Sequence, residues 1–155
     1  MSSASGHGAI ALRHAGPADA AAVAAVFSPS VRLLTFLPRL HTVEEDRRFI
    51  TDVILKDCEV SVAELEGRIV SFLARDGQEV RLLHTHPDFI GRGAGGRLLE
   101  AAKQEDVEAL ELWCFQANIG GRRFYEAHGF KAIAFTDGQR NEEKTPDVRY
   151  RWERA

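Results

Sequence analysis

The segment Gly91-Arg92-Gly93-Ala94-Gly95-Gly96 carries four glycines within six residues. A short apolar run, Val80 to Leu83, precedes it, and a helical pattern with Leu98 and Leu99 follows it. Glycine lets backbone amides approach an anion without a Cβ in the way. A helix start adds unpaired N–H groups and the positive end of a dipole. The segment therefore predicts a phosphate-binding site made by backbone amides. The structural alternative, a tight strand-to-helix turn, explains two glycines better than four.

Two nucleotide-binding motifs match this segment in part. Residues 91–96 fit the dinucleotide pattern G-x-G-x-x-G, but that motif belongs to a first strand–helix–strand unit and needs an acid at the end of the next strand. Phe115 and Gln116 stand there instead. The spacing also fits a Walker A loop, but Arg97 and Leu98 replace the Lys-Ser/Thr pair that binds phosphate and magnesium. Neither motif is complete.

The elements that must position this loop follow from hydrophobic periodicity and from turn signals. The pattern predicts strands at 9–13, 58–64, 68–74, 79–85, 109–115, 130–135 and 148–152, and helices at 17–27, from Thr42, from 94 to about 106, and at 118–128. Residues 28–40 read as irregular, and 137–146 as a long mobile loop. The unit 80–115 must be a parallel pair with a right-handed crossover. The fold class is α/β (α+β), a mixed and mostly antiparallel sheet with about four helices.

Composition limits the class of protein. With 155 residues, we expect one domain at 9–155 behind a disordered leader at 1–8. A net charge of −3 argues against a nucleic-acid partner, and no apolar run is long enough for a membrane span. Cys58 and Cys114 lack paired spacing, which favours reduced thiols in the cytoplasm and no metal site.

A second block runs from Asn118 to Phe130 as N-I-G-G-R-R-F-Y-E-A-H-G-F. It resembles the Asn-x-x-Ala-x-x-Phe-Tyr-x-x-x-Gly-Phe block of the GNAT superfamily, the GCN5-related N-acetyltransferases, with Gly121 at the alanine position. The glycine segment resembles that family's pyrophosphate loop, Gln/Arg-x-x-Gly-x-Gly/Ala, with Ile90 in place of Gln or Arg. The two blocks stand in the family's order, and the resemblance covers about residues 9–153.

The resemblance implies an acetyl-CoA site between a central pair of parallel strands that splay apart. The pantetheine arm would pair with the backbone near Leu83, His84 and Thr85, at a point where the family's strand usually carries a β-bulge. The remaining implied cofactor contacts are Gly91, Arg92, Gly93, Ala94, Gly95, Gly96, Asn118 and Tyr125. Tyr125 would donate a proton to the departing thiolate, since a phenol is protonated at neutral pH. Asn118 also fits a helix N-cap.

A general base has several candidates. Glu79 begins the central strand, where the resemblance implies a base in histone-modifying members, although the sequence slightly favours a surface acid after the turn at 76–77. His84 has a suitable intrinsic pKa, and His86 before a proline reads as structural. Strand alternation predicts Glu79, Arg81, Leu83 and Thr85 on one face and His84 on the other.

The acceptor pocket is expected at Phe36, Leu37 and His41, together with the loop at 137–146 and its acids, because loops carry specificity. The leading hypothesis is an N-acyltransferase that moves acetyl from acetyl-CoA directly to a primary amine through a tetrahedral intermediate. The amine would belong to a small molecule or a peptide, and a homodimer is compatible with the sequence. A non-catalytic acyl-CoA-binding or regulatory domain on the same fold is the alternative.

Overall fold

A seven-stranded mixed sheet forms the centre of the molecule. The computed structural model describes residues 9–155, so the leader predicted at 1–8 lies outside the described residues. The strands are β1 (Ile10–His14), β2 (Glu59–Leu65), β3 (Arg68–Asp76), β4 (Glu79–Thr85), β5 (Ala109–Phe115), β6 (Lys131–Thr136) and β7 (Asp147–Glu153). Their order in the sheet is β1-β2-β3-β4-β5-β7-β6. All neighbours are antiparallel except β4 and β5, as the sequence predicted.

Helices cover both faces of the sheet. They are α1 (Ala20–Arg32), α2 (Val43–Phe49), α3 (Leu55–Asp57), α4 (Ala94–Lys103) and α5 (Ile119–Ala127). A π-helical turn, Ile50–Ile54, joins α2 to α3, so these segments form one continuous helix. The residues of α1 and of this composite helix build the core on one face, and those of α4 and α5 build it on the other. Within residues 9–155, none of the helices has the length and hydropathy needed to cross a membrane.

The parallel strands β4 and β5 touch at one end and then diverge. Their pairing in the sheet consists of a single register position, Glu79 opposite Glu111. By contrast, β4 pairs with β3, and β5 with β7, along nearly their whole lengths. The predicted splayed parallel pair is therefore confirmed, and it opens towards the carboxyl ends of both strands.

A β-bulge in β4 corrects the predicted alternation of its side chains. Arg75 of β3 pairs with Val80, whereas the preceding Ala74 pairs with Leu82, which leaves Arg81 without a partner. One extra residue turns the rest of the strand over. Val80 and Leu83 consequently face the same core, so Glu79 and Leu83 do not share a face as predicted.

Helix α1 extends five residues beyond the predicted end at Phe27, and it contains Pro29. Proline cannot donate the intrahelical hydrogen bond, which is why the sequence suggested an irregular segment. A partly buried ion pair holds this turn in place. The carboxylate of Asp46 on α2 accepts hydrogen bonds from Arg32 Nη1 at 2.6 Å and from Ser28 Oγ at 2.6 Å. Tertiary contacts thus override the local signal.

The start of α2 agrees with its predicted capping box. Thr42 Oγ1 accepts from the Glu45 amide at 3.1 Å, and the Glu45 carboxylate accepts from the Thr42 amide at 2.8 Å. The π-helical turn that follows was not predicted. It places both Ile50 and Ile54 fully inside the core between this helix, α1 and the sheet.

Candidate active site

Two adjoining cavities lie at the open end of the splay. The first, of about 640 Å³, is bounded by Val80 to His84 of β4, by Trp113 to Phe115 of β5, and by residues of the β6–β7 loop. The second, of about 840 Å³, lies between β4 and the helices α1 and α2. Residues that line both cavities mark the point where they meet: Leu34, Leu82, His84, Phe115 and Glu143. A donor and an acceptor bound in the two cavities would face each other there.

The glycine segment ends in a helix start that no side chain caps. Gly91 and Gly93 have φ values of 85° and 88°, in the left-handed region that favours glycine. Gly93 is the N-cap of α4 and offers no side chain, and the Arg97 amide bonds to the Gly93 carbonyl at 3.0 Å. The amides of residues 94–96 therefore have no intrahelical partner. They form a small cluster of N–H donors at the positive end of the helix.

Conformation and packing explain three of the four glycines. Gly91 and Gly93 make the turn, and a Cβ at Gly96 would stand 3.2 Å from the His128 ring, closer than side chains ordinarily pack. A Cβ at Gly95 would make only an ordinary contact, at 3.4 Å from Thr85 Oγ1. Neither the turn nor the packing thus requires glycine at position 95. Since this residue lies in the first turn of the uncapped helix, its missing side chain leaves the amides there open to a close approach.

The flanks of this loop are exposed. Ile90, which stands where the resemblance predicts Gln or Arg, has 59% of its surface in solvent. The Arg92 guanidinium lies over the Phe89 ring at 5.3 Å, and Arg97 is exposed on α4. Both cations are close enough in the chain to reach an anion held by the amides of residues 94–96.

Only part of the predicted backbone contact on β4 faces the splay. The His86 amide donates to the Val70 carbonyl of β3 at 2.8 Å. Because backbone groups alternate between the two edges of a strand, the His84 amide also faces β3, and those of Leu83 and Thr85 face the side of β5. Beyond Glu79 that side of β4 has no strand partner. The two amides at 83 and 85 are the ones available to a ligand, whereas His84 contributes its side chain to both cavities.

Tyr125 lines the first cavity from α5. Its ring packs against Phe130 and Tyr150 at centroid distances of 5.9 and 6.1 Å. Burial raises the pKa of the Tyr125 phenol well above its ordinary value, and the nearby Cys114 thiol adds to the effect. No group within residues 9–155 forms a hydrogen bond with the hydroxyl, and no fully buried polar side-chain atom there lacks a partner. The hydroxyl is therefore protonated at neutral pH, has no partner among the described residues, and is not completely sealed from the cavity.

Asn118 caps α5 and also lines the first cavity. Its Oδ1 accepts from the Gly121 amide at 3.0 Å. A Cβ at Gly121 would stand 2.5 Å from Asn118 Nδ2, so glycine at the family's alanine position lets the cap approach closely. The N-cap prediction is confirmed, and contact with a cofactor stays a prediction.

Glu79 lies at the closed end of the splay and lines neither cavity. Arg149 of β7 holds both of its carboxylate oxygens, with Nη1–Oε2 at 2.8 Å and Nη2–Oε1 at 2.5 Å. Arg149 Nε also donates to Glu111 at 2.9 Å, which places an ion-pair network across β4, β5 and β7. This arrangement argues against Glu79 as the general base and favours a role in joining the strands where they meet.

The two candidate histidines occupy different environments. The His84 ring stacks on Phe72 at 5.9 Å and meets Phe27 edge-on, and its Nδ1 lies 2.9 Å from Ser30 Oγ. Burial lowers the pKa of His84 to about 4, so the ring is neutral at physiological pH. His86 lines neither cavity and caps a short turn through Nδ1, which agrees with a structural role.

The predicted acceptor residues lie at the second cavity, with one exception. Leu37 and His41 line it, but Phe36 does not. The Phe36 ring instead packs edge-on against Phe115 at 6.1 Å, behind the junction of the cavities. His41 Nε2 lies 2.9 Å from Glu142 in the β6–β7 loop, and this contact raises the pKa of His41.

Several lining residues were missed by the sequence analysis. Trp113, Cys114 and Phe115 were assigned only to a strand, and their exposure to the first cavity follows from the splay. Leu34 lies in the segment taken as irregular. Among the side chains of residues 9–155, no group of three or more His, Cys, Asp or Glu is arranged to hold a metal ion.

Known proteins resemble both the sequence and the fold. A family model described as "Acetyltransferase (GNAT) domain" matches residues 56–132, from the end of α3 to the start of β6. An uncharacterized N-acetyltransferase of Archaeoglobus fulgidus is 32% identical over an aligned stretch of 87 residues, covering 46% of this chain and 59% of the relative. This chain thus matches less than two thirds of that relative's length.

Solved structures match nearly the whole chain. A GCN5-related N-acetyltransferase from Rhodopseudomonas palustris aligns with a TM-score of 0.77 and 23% identity, covering 98% of this chain and 100% of that one. The PaiA N-acetyltransferase of Thermoplasma acidophilum, solved in complex with coenzyme A, aligns with a TM-score of 0.73 and 19% identity, covering 94% and 99%. At these identities the likeness concerns the fold. Together with the family match, it shows that the chain belongs to the GNAT superfamily, the GCN5-related N-acetyltransferases.

Proposed function

We propose that this protein is an N-acetyltransferase that transfers acetyl from acetyl-CoA directly to a primary amine. The observation that carries the proposal is the uncapped N-terminus of α4, which stands beside the open edge of β4. Its free amides suit a pyrophosphate. The free edge of β4 suits an amide-rich arm that adds to the sheet like a further strand. The coenzyme A complex of the similarly folded Thermoplasma protein supports this assignment.

The residues of the chain divide the binding work along the splay. The amides of residues 94–96 would hold the pyrophosphate, and Gly95 would leave room for its close approach. The amides of Leu83 and Thr85 would bind the arm and its thioester carbonyl. An N–H donor at that carbonyl would also stabilise the oxyanion that forms when the amine attacks.

Tyr125 would supply the proton that the leaving group needs. The amine nitrogen forms a bond to the thioester carbon, the carbon–sulfur bond breaks, and the Tyr125 hydroxyl donates its proton to the departing thiolate. The ammonium nitrogen loses two protons in becoming an amide: one restores the Tyr125 hydroxyl and the other passes to solvent, so each turnover releases one proton in total. A raised phenol pKa suits this role, because the group stays protonated at every physiological pH.

Thiol release from acetyl-CoA, measured with and without a panel of primary amines, tests the proposal. We expect release that requires both the amine and active protein, and a melting temperature that rises with acetyl-CoA but not with NAD. Binding of acetyl-CoA without thiol release for any amine would favour the non-catalytic acyl-CoA-binding alternative. Absence of binding would overturn the assignment altogether. The cytoplasmic location, the small-molecule or peptide acceptor and the homodimer stay predictions.

A further inference from the structure

The acids of the β6–β7 loop have different partners. Asp137 accepts from a backbone amide two residues further on, at 3.0 Å. Asp147, buried at the end of the loop, accepts hydrogen bonds from the side chains of Thr136 and Asn141. Glu142 pairs with His41. Of these four acids, Glu143 alone has a carboxylate with no hydrogen-bond or ion-pair partner within the part of the chain that the structure describes.

Glu143 also occupies a distinctive place. It is half-buried and is one of the residues that line both cavities at their junction. Its companions there are the apolar Leu34, Leu82 and Phe115, together with His84, whose buried ring is uncharged at neutral pH. A half-buried carboxylate in such surroundings loses part of its hydration, and no protein cation or hydrogen-bond donor replaces the lost water. A cationic ligand group at the junction would pair with it.

The lining of the second cavity indicates the chemistry of the rest of such a ligand. Its inner wall is made of apolar side chains from α1, α2, the π-helical turn, the segment between α1 and α2, and β4: Phe27, Val31, Leu34, Leu37, Phe49, Val53 and Leu82. Arg32 and Asp46 pair with each other, as do His41 and Glu142. Of the remaining charged lining groups, Arg39, Arg48 and Asp52 are exposed. Glu45 is exposed too, and its carboxylate accepts from the Thr42 amide in the capping box. The interior thus offers an apolar surface that ends at one free carboxylate.

We propose that the acceptor is a primary amine on an apolar stem, whose ammonium group Glu143 binds at the junction while the stem fills the second cavity. The role of the amine as acceptor rests on the proposed function. In this position the nitrogen lies next to the splay, where the thioester would be presented. Glu143 is therefore a specificity-determining residue that selects a cation at the point of transfer.

Binding of hexylamine and of 1-hexanol to the protein saturated with coenzyme A tests this inference without requiring turnover. The two compounds share an apolar stem and differ in charge. We expect hexylamine to bind the wild type, and Glu143→Gln to weaken that binding about tenfold or more, the typical value of a charge-assisted contact. The weaker binding of 1-hexanol should be the same in both proteins, which shows that the cavity is intact. Glu108→Gln, at an exposed acid outside both cavities, is the matched control and should bind hexylamine as the wild type does.

Equal affinity of hexylamine for the wild type and for Glu143→Gln would overturn the role of Glu143. Failure of hexylamine to bind the wild type at all would overturn the apolar-amine class. Because both outcomes are read from binding, they are distinct from a failure of acetyl transfer. If acetyl transfer to hexylamine is observed, Glu143→Gln should raise KM for the amine by a similar factor and change kcat little.

Discussion

Replacing Tyr125 with phenylalanine separates catalysis from stability. The hydroxyl has no hydrogen-bond partner among residues 9–155, so its removal breaks no contact and leaves no partner unsatisfied. We expect the free energy of unfolding to change by less than about 0.5 kcal/mol. A general acid typically contributes about 10²- to 10⁴-fold to a rate, equivalent to about 3–5 kcal/mol in the barrier. Turnover should therefore fall by at least about a hundredfold while the affinity for coenzyme A is kept.

Tyr150, the second of the two tyrosines in the chain, provides the matched control. It is fully buried, and its hydroxyl donates to Glu126 at 2.7 Å and accepts from Arg122 Nε at 3.1 Å. Tyr150→Phe removes two hydrogen bonds to charged groups and should cost about 1–3 kcal/mol of stability. Its kcat, measured below its melting temperature, should stay near that of the wild type.

Thiol-release kinetics and urea unfolding on the two variants give the comparison. The expected pattern is opposite in the two proteins: Tyr125→Phe keeps stability and loses kcat, whereas Tyr150→Phe loses stability and keeps kcat. Full turnover in Tyr125→Phe would refute the general-acid assignment. A loss of turnover that merely follows a loss of stability would show that the ring serves only the core.

Three further predictions concern the closed end of the splay, the glycine loop and the acceptor side. Glu79→Gln should lower the free energy of unfolding by about 1–2 kcal/mol, because its ion pair with Arg149 is partly buried, and should leave kcat within about threefold of the wild type. A large loss of kcat with unchanged stability in urea unfolding would instead support Glu79 as the general base. Gly95→Ala fits the fold and should raise the stability of the helix by about 0.5 kcal/mol, yet it should weaken coenzyme A binding about tenfold in a calorimetric titration. The control Gly120→Ala should stabilise the protein and leave coenzyme A binding unchanged. Unchanged affinity in Gly95→Ala would contradict phosphate binding by the amides of residues 94–96. The His41–Glu142 pair raises the folded-state pKa of His41, so its contribution to stability is full below the unfolded pKa of about 6.5 and is lost as pH rises through the folded value. The stability difference between the wild type and Glu142→Gln should therefore shrink from pH 5.5 to 8.5, and a difference that grows with pH would contradict the pairing.

Local patterns determined most of the fold in advance. The strands at 79–85 and 109–115 match their predicted bounds, and the capping box at Thr42 is present. These elements depend on alternation, turn residues and caps, which act within a few residues along the chain. The parallel pairing of the two central strands also followed, because a strand–helix–strand unit permits no other simple connection.

Features that depend on contacts between distant segments were not predictable. The extension of α1 through Pro29 depends on Asp46, which belongs to the next helix. The family resemblance implied a β-bulge near Leu83 to Thr85, but the observed bulge lies at Arg81, and that position depends on register with β3. Nothing local in the sequence distinguishes such positions from ordinary strand or loop residues.

The site was predicted in part for the same reason. The glycine loop and Tyr125 belong to contiguous motifs, so the sequence located them. Glu79 was a candidate base by the family resemblance, and the sequence could not reveal its ion pair because the partner, Arg149, lies seventy positions away. Glu143 looked like one acid among several, and only the meeting of two cavities distinguishes it.

Chemical-shift mapping of backbone amides during a coenzyme A titration is the most direct test of a donor site between β4 and β5. We expect saturable binding, with the largest shifts at the amides of Leu83, Thr85 and residues 94–96 and smaller ones at Asn118. Absence of binding, or shifts confined to other surfaces of the molecule, would contradict the placement of the donor between β4 and β5.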